Sequence, residues 1–323
     1  MITYRTLKGT ELKVSRACFG TMTFGSQVDE VLASRMVNYC VDRGINFFDT
    51  ANVYQLGVSE QMLGKALTGK REKVVLASKA RGKMGEAKDQ NGLSRAAIMR
   101  AVEESLQRLQ TDYLDIYYLH QPDYDVPIEE TLETMQELVK VGKVRYPATS
   151  NYASWQVGQM LCIARQKNYQ PALIAQQMYN LLARGVEQEF VPMAREFAVS
   201  LIGYNPLAGG LLTGKHHATA ITPGTRFDKN TMYQDRYWRE QNFSAVERLQ
   251  AIAKQAGRSL ISLSLNWLMH HTATDCVILG ASKLEQLEQN LTALDEGPLP
   301  PHVVELCEEV WKELRGPTPI YNR

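Results

Sequence analysis

An excess of charge of either sign is missing from this sequence. Its 36 Lys and Arg residues and its 35 Asp and Glu residues leave a formal net charge of +1 at pH 7. Such a balance gives no global electrostatic field that would concentrate a polyanion near the protein. We therefore expect neither a nucleic acid nor an anionic membrane surface as a partner.

Long hydrophobic runs are also absent. No stretch approaches the roughly 18 consecutive apolar residues that a membrane-spanning helix needs. The polar start MITYRTLKGTELKVSR lacks the apolar core of a signal peptide. The sequence therefore predicts a cytoplasmic protein.

Cysteine is scarce, and the pattern of cysteine and histidine predicts no metal site. The five cysteines form no CxxC pair and are Cys18, Cys40, Cys162, Cys276 and Cys307. Scattered cysteines of odd number are typical of buried free thiols in a reducing compartment. In the adjacent pairs His216–His217 and His270–His271 the two side chains must diverge, so we expect a solvated loop and a helix end there rather than metal ligands.

Complete phosphate-binding motifs are missing as well. GKALTGK from Gly64 and GGLLTGK from Gly209 approximate a P-loop, but neither is followed by the Ser or Thr that would hold magnesium. No GxGxxG follows an early strand-like run, which argues against a Rossmann domain.

What the sequence does contain is a regular alternation of strand-like and helix-like segments. Longer stretches of helical period, such as the one that follows the predicted N-cap Ser94, separate eight short β-branched or aromatic runs. The runs are ACFGTMTFG near Cys18, INFFDTA from Ile45, VVLASKA from Val74, LDIYYLHQ from Leu114, KVRYPATSN from Lys143, LIAQQMYN from Leu173, VSLIGYNPL from Val199 and DCVILGA from Asp275. This order predicts an α/β fold, a (β/α)8 TIM barrel. No linker divides the chain, so we expect one domain over residues 1–323.

Two segments lie outside the alternation. TYRTLKG and LKVSRAC flank a Gly-Thr turn near the N-terminus and predict a small β-hairpin that closes the bottom of the barrel. The long polar stretch from His216 to Phe243 follows the seventh strand, and its length predicts a lid or binding loop.

Four titratable residues fall at or just beyond the ends of adjacent predicted strands. Asp49 ends the second strand, Tyr54 lies in the loop beyond it, Lys79 ends the third strand, and His120 ends the fourth. Active sites of such barrels lie at the carboxyl ends of the strands, so we expect these side chains to share one pocket.

General acid catalysis is the chemistry that suits these four residues. Reduction of a carbonyl leaves an alkoxide that must receive a proton, and a free tyrosine, with a pKa of about 10, is a poor acid at neutral pH. We expect Lys79 to lower the pKa of Tyr54 and Asp49 to keep Lys79 charged and oriented. His120 is predicted to donate a hydrogen bond to the substrate oxygen. Each residue alone also has an ordinary structural interpretation; their order on adjacent strand ends favours catalysis.

The segments FFDTANVY from Phe47, ASKA from Ala77 and YLHQPD from Tyr118 resemble the catalytic segments of the aldo-keto reductases, in the branch that includes bacterial enzymes and potassium-channel β-subunits. The resemblance runs through the whole chain. It implies a TIM barrel whose loop after strand seven covers a nicotinamide cofactor, a small-molecule carbonyl substrate, and Asp49, Tyr54, Lys79 and His120 as the catalytic tetrad.

The resemblance also implies the cofactor-binding residues. Besides Asp49 they are Thr21, Met22 and Gln27 in the first strand segment, Ser150, Asn151 and Gln176 at the nicotinamide amide, Tyr204 on the nicotinamide ring, Asn205, Pro206 and Leu207 directly after it, Lys215 near the phosphates, Arg226 in the long loop, and Ser282, Gln286 and Asn290 at the adenosine half. The chain departs from the usual pattern at Gln55, where glycine is general, and at Asn205, where serine is frequent.

The choice of cofactor depends on the phosphate that distinguishes NADPH. Arginine or lysine must recognise this group, and many members of the family have an arginine near the start of the last barrel helix. Here only Lys283 lies close by, while Arg226 is similar to a clamping arginine of part of the family and Ser282 is a further candidate. We favour NADPH over NADH.

Two other functions stay open at this point. The chain also resembles potassium-channel β-subunits, so a cofactor-binding redox-sensing regulator is an alternative. A barrel hydrolase or isomerase is a weaker one, because no HxH motif or paired strand-end carboxylates are evident. The substrate and the oligomeric state are not readable; a set of loop aromatics suggests an apolar wall, namely Tyr124, Tyr152, Tyr233, Tyr237 and Trp238.

Overall fold

The eight predicted strand segments form a closed barrel of parallel strands in the computed structural model, which describes residues 2–317. Two further strands form an antiparallel hairpin ahead of it. The hairpin strands are β1 (Tyr4–Thr6) and β2 (Lys13–Ser15); the barrel strands are β3 (Ala17–Gly20), β4 (Phe47–Asp49), β5 (Val75–Ala80), β6 (Leu114–Leu119), β7 (Val144–Ser150), β8 (Ile174–Met178), β9 (Ser200–Tyr204) and β10 (Cys276–Leu279). Strand β10 pairs with β3 and closes the barrel, as the predicted fold requires.

Helices connect the barrel strands and cover their outer side. They are α1 (Glu30–Asp42), α2 (Val58–Ala66), α3 (Arg95–Leu109), α4 (Ile128–Lys140), α5 (Ser154–Lys167), α6 (Phe190–Glu196), α7 (Thr231–Tyr237), α8 (Glu240–Gln255), α9 (Leu260–His270), α10 (Leu284–Asp295) and α11 (Pro301–Arg315). The predicted N-cap Ser94 accepts a hydrogen bond from the backbone N–H of Ala97 at 3.3 Å, and α3 buries Ile98 and Val102.

The hairpin closes the amino-terminal end of the barrel, as predicted. Leu7, Leu12 and Val14 are buried against the side chains that fill the barrel interior. The backbone N–H of Lys8 donates to the hydroxyl of Ser200, the first residue of β9, at 2.7 Å. The opposite, carboxyl end is therefore the open end of the barrel.

Alternation of side chains along the strands places the acidic and basic residues of the site. Phe47 and Ala77 belong to the cluster inside the barrel, whereas Phe48 belongs to the outer cluster under the helices. Successive residues of a strand point to opposite faces, so Asp49 and Lys79, each two residues further on, also point inwards. Both are then at the carboxyl end, where the barrel opens.

The stretch from His216 to Phe243 was predicted to be a lid or binding loop. In the structure it contains a short helix, α7. Helix α7 begins after Asn230, whose side chain accepts from the backbone N–H of Tyr233 at 3.3 Å, and its last residue, Tyr237, is buried one turn beyond Tyr233. The predicted solvated position of His216 is wrong, because its ring is buried and packs edge-on against Phe227, with the ring centroids 5.0 Å apart.

Three other expectations concern cysteine, metals and membranes. All five cysteines are free, and four are buried, but Cys162 is exposed on α5, contrary to the expectation of buried thiols. Within residues 2–317 no group of three or more His, Cys, Asp or Glu side chains could hold a metal ion. In the same range, every helix is too short or too polar to span a lipid bilayer.

Candidate active site

Lys79 and Asp49 form a buried ion pair at the carboxyl end of the barrel. The ammonium group of Lys79 is inaccessible to solvent and donates to Oδ1 of Asp49 and to the backbone carbonyl of Thr50, the latter at 2.7 Å. The second carboxylate oxygen of Asp49 accepts from Nε2 of Gln176 at 2.9 Å. The pair is thus compensated both by its own charges and by neutral hydrogen bonds, which a buried ion pair requires.

Tyr54 lies in the turn after β4 and reaches the same lysine. Its hydroxyl is 3.4 Å from Nζ of Lys79. The turn has left-handed backbone at Gln55 (φ 49°), Leu56 (φ 51°) and Gly57 (φ 93°). Glycine adopts left-handed backbone at a lower conformational free energy than other residues. Gln55, which stands where glycine is general in the family, is therefore less favourable in this turn than glycine would be.

His120 completes the group of four. It directly follows β6, and its backbone N–H donates to the carbonyl of Ala80 at 3.1 Å. Its ring meets that of Tyr54 edge-on, with 6.0 Å between the ring centroids. The four residues predicted from the strand ends therefore lie together.

The surroundings set the protonation states of the group. Burial raises the pKa of Tyr54, and the nearby charge of Lys79 only partly opposes this. Burial alone would lower the pKa of Lys79, but Asp49 and Tyr54 outweigh it and the pKa is raised. Burial, with help from the charges of Lys79 and Arg81, lowers the pKa of His120 to about 3. At neutral pH the tyrosine and the histidine are therefore neutral and the lysine is charged.

Lys79 acts on the pKa of Tyr54 in the predicted direction, but burial outweighs this effect and the net pKa is raised, not lowered. The sequence indicates the lysine beside the tyrosine, which acts in the predicted direction. It does not indicate how far the pocket removes the tyrosine from water, and that effect dominates here. Lys79 acts on Tyr54 by limiting the rise of its pKa.

The residues predicted for the nicotinamide amide form one hydrogen-bonded group beside the tetrad. Nδ2 of Asn151 donates to the hydroxyl of Ser150 at 3.1 Å, and Oδ1 of Asn151 accepts from the hydroxyl of Tyr204 at 2.7 Å. Gln176 joins this group to the tetrad through its bond to Asp49. The backbone of Asn151 is left-handed (φ 62°).

The loop after β9 turns sharply, and its backbone N–H groups donate within the loop. Those of Ala208 and Gly210 donate to the carbonyls of Asn205 and Leu207, and that of Gly209 donates to Oδ1 of Asn205. Asn205 (φ 60°), Ala208 (φ 50°), Gly209 (φ 69°) and Gly210 (φ 103°) are left-handed, with Pro206 and Leu207 between them. A Cβ atom at Gly209 would lie 2.8 Å from the ring of Tyr233, so any larger residue at this position would clash with that ring. Lys215 lies exposed at the end of this loop.

The residues predicted for the adenosine half make two separate sets of contacts. Nε2 of Gln27 donates to the carbonyl of Gly224 at 3.0 Å, and a guanidinium N–H of Arg226 lies 3.5 Å from the sulfur of Met22, so the stretch after β9 contacts the loop after β3. The hydroxyl and the backbone N–H of Ser282 both donate to Oε1 of Gln286.

Two of the predicted cofactor residues, Asn290 and Thr21, are buried. Asn290 is buried on the same helix as Gln286. Thr21 is buried, and its hydroxyl shares a hydrogen bond of 2.8 Å with Ser59, which occupies it within the protein.

The structure also corrects the predicted aromatic wall. Tyr152, Tyr233 and Tyr237 are buried, whereas Tyr124 is 82% exposed. The hydroxyl of Tyr237 accepts from Nδ2 of Asn205 at 2.8 Å. Tyr237 therefore positions the loop after β9, a role that sequence reasoning missed; the helical spacing of Tyr233 and Tyr237 was the available signal.

The four residues thus lie together at the carboxyl end of the parallel strands, where (β/α)8 enzymes carry their active sites. Residues 16–312 match the model of the aldo/keto reductase family, and the chain belongs to this family of NAD(P)H-dependent oxidoreductases. It is 37% identical to aflatoxin B1 aldehyde reductase member 2 of Rattus norvegicus, over 99% of this chain and 90% of the relative. It is 34% identical both to the uncharacterized oxidoreductase YrpG of Bacillus subtilis (strain 168), over 98% of each chain, and to a probable voltage-gated potassium channel subunit beta of Oryza sativa subsp. japonica, over 95% of this chain and 96% of the relative.

Proposed function

We propose that this enzyme reduces aldehydes, and some ketones, to alcohols with NADPH. The observation that carries the proposal is the hydroxyl of Tyr54, 3.4 Å from the ammonium group of Lys79, beside the ring of His120. A neutral acid next to a fixed positive charge is what a developing alkoxide needs. The rat relative is named an aldehyde reductase, which supports an aldehyde as substrate.

The proposed roles of the four residues follow from their protonation states. When bound, the reduced nicotinamide supplies the hydride. Tyr54 gives its proton to the substrate oxygen, and the positive charge of Lys79 stabilises the phenolate that remains. Asp49 keeps Lys79 charged and in place. His120, neutral because of its low pKa, orients the carbonyl by donating a hydrogen bond from its ring.

We further propose how the chain holds the cofactor. Ser150, Asn151 and Gln176 bind the amide of the nicotinamide, and Tyr204 lies against its ring. The loop from Asn205 to Leu207, with Lys215, binds the phosphates. Thr21, Met22, Gln27, Arg226, Ser282, Gln286 and Asn290 enclose the adenosine half. Closure of the segment after β9 over the phosphates would exclude water and slow the release of the cofactor.

Preference for NADPH is proposed to depend on Arg226 and Lys283. We expect the double variant Arg226→Ala/Lys283→Ala to raise the Kd for NADPH by about 10- to 100-fold and the Kd for NADH by much less, because charge-assisted hydrogen bonds to the extra phosphate are lost. Fluorescence titration measures both constants. Lys229→Ala, which removes an exposed lysine of the same segment, is the control. Equal losses for the two cofactors would mean that the extra phosphate is bound elsewhere.

Turnover of an aromatic aldehyde tests the proposed function directly. The purified protein is first titrated with NADPH and NADH, and the complex is then mixed with a panel of carbonyl compounds while the absorbance of the reduced nicotinamide is followed. Loss of this absorbance supports a reductase. Tight binding of NADPH without oxidation across the panel would favour a redox-sensing regulator, in line with the similarity to the rice channel subunit.

A further inference from the structure

Arg81 has a strained backbone at the edge of the catalytic pocket. It directly follows β5, two residues after Lys79, and its φ is 101°. A positive φ is unfavourable for a residue with a long side chain and is concentrated at functional sites. The carbonyl of Arg81 accepts from the backbone N–H of Gly92 at 3.3 Å, which helps to hold this conformation.

The guanidinium group of Arg81 has no partner among residues 2–317. It makes neither a hydrogen bond nor an ion pair there, and its Nε atom is sealed from solvent. Other arginines with little exposure are paired: Arg71 with Asp115 at 2.9 Å, and Arg108 with Glu60 at 2.7 Å. A partly buried cation without a counter-charge is costly, so an anion that binds beside Arg81 would gain a desolvated partner.

The acids near Arg81 are already engaged. Arg81 lines a small cavity together with Arg100, Asp89 and Glu104. Arg100 pairs with Asp89 at 2.9 Å and with Glu104 at 2.7 Å. Asp123 accepts from the backbone N–H of Leu93 at 2.7 Å and makes no ion pair with Arg81 within the described chain. The protein itself therefore leaves the positive charge of Arg81 uncompensated.

The charge of Arg81 also acts on His120 of the catalytic group. Burial is the main cause of the low pKa of His120, and the charges of Lys79 and Arg81 add to it. Burial raises the pKa of Tyr152, with Arg81 acting in the opposite direction. The hydroxyl of Tyr152 is buried and also has no hydrogen-bond partner in the part of the chain that the structure describes. Arg81 thus interacts with both His120 and Tyr152, and neither its Nε atom nor the hydroxyl of Tyr152 has a hydrogen-bond partner within residues 2–317.

We propose that Arg81, assisted by the hydroxyl of Tyr152, binds a carboxylate that the carbonyl substrate carries away from its reacting group. The enzyme would then select aldehydes with a negative charge at the far end. This inference rests on the proposed reduction of aldehydes and names the substrate class of the same site. A guanidinium is suited to it because its N–H groups match the two oxygens of a carboxylate.

A matched pair of aldehydes tests the proposal. 4-Carboxybenzaldehyde and its methyl ester, methyl 4-formylbenzoate, differ in the charge at the far end of the ring. We expect wild-type enzyme to prefer the carboxylate. Arg81→Gln should lower kcat/KM for the carboxylate by about 10- to 100-fold and change that for the ester by less than about threefold, with the Kd for NADPH unchanged. Arg81→Lys should retain part of the preference, because it keeps the charge.

Two further variants separate binding from structure. Arg100→Gln removes an arginine of the same cavity that already has its own acids, and it should leave the preference between the two aldehydes unchanged. Arg81→Gly removes the guanidinium and suits the left-handed backbone, so it should melt no lower than wild type and still lose the preference. If Arg81→Gln folds poorly, Arg81→Gly still tests whether the guanidinium group is needed for the preference.

Several outcomes would overturn the proposal. These are equal losses on both aldehydes in Arg81→Gln, which indicate a structural role, or a preference for the carboxylate that persists without Arg81. If wild type reduces neither aldehyde, the proposed function fails, and calorimetric titration with benzoate then decides. Binding that Arg81→Gln weakens at least tenfold would support the anion site, and no binding by wild type would refute it.

Discussion

Replacement of Tyr54 by phenylalanine should lower kcat by about 10²- to 10⁴-fold, the range that loss of a general acid typically causes. The variant keeps the ring that meets His120 edge-on but loses the hydroxyl 3.4 Å from Lys79, so the substrate oxygen has no acid beside it. The Kd for NADPH should stay nearly unchanged, because the proposed cofactor contacts come from other residues. Single-turnover oxidation of NADPH, with the aldehyde in excess, measures the rate.

Tyr117→Phe is the matched control for this change. Tyr117 is a buried tyrosine of β6 that packs in the outer cluster, and its hydroxyl has no hydrogen-bond partner within residues 2–317. Loss of this hydroxyl should leave kcat within a few-fold of wild type. If Tyr54→Phe retained most of the turnover, another group would be the acid, and the assignment of Tyr54 would be wrong.

The position of the tetrad was predictable because strand periodicity is simple. Asp49 follows buried Phe47 by two residues, and Lys79 follows buried Ala77 by two, so both face the barrel interior once the strands are recognised. Parallel strands end at the same side of a barrel, which brings their terminal residues together without any knowledge of side-chain packing. The separation between Tyr54 and Lys79 could not be predicted, because it depends on the turn at Gln55 and Leu56.

Burial was the property that sequence reasoning predicted least well. His216 has a polar side chain in a polar stretch, yet Phe227 and Trp238 pack around it and bury it. The pKa of Tyr54 rises for a related reason, since desolvation outweighs the charge of Lys79. Both effects depend on how side chains pack in three dimensions, and local patterns of polarity do not report them.

The unpaired charge of Arg81 could not be predicted from the sequence either, because it also depends on the three-dimensional arrangement. Nothing in the run ASKARGK distinguishes Arg81 from the basic residues Lys79 and Lys83, which have carboxylate partners, Lys83 through an exposed pair with Glu86. Only the three-dimensional arrangement shows that Arg81 alone of these three has none in the described part of the chain. The proposed roles follow this difference: Lys79, whose charge is balanced by Asp49, is proposed to act in the reaction, and Arg81, whose charge has no partner in the described chain, is proposed to bind the substrate.

Replacement of Lys79 by methionine should destabilise the protein by about 3–5 kcal/mol as well as lower kcat. The variant leaves the carboxylate of Asp49 buried with the amide of Gln176 but without its counter-charge. Asp49→Asn alone likewise leaves the buried ammonium of Lys79 without its counter-charge, although the carbonyl of Thr50 still accepts from it. Urea unfolding monitored by tryptophan fluorescence measures the free energy of unfolding of each variant.

The double variant Lys79→Met/Asp49→Asn separates the two roles of the pair. Removing both charges together avoids an isolated buried charge, so the double variant should be more stable than Lys79→Met and recover most of the lost free energy of unfolding. Its kcat should stay low, because no positive charge remains to stabilise the phenolate of Tyr54. A single variant Lys79→Met within about 1 kcal/mol of wild type would show that the isolated carboxylate is not costly here. Recovery of kcat in the double variant would show instead that the charge of Lys79 is not what the reaction requires, and that the ion pair serves only the fold.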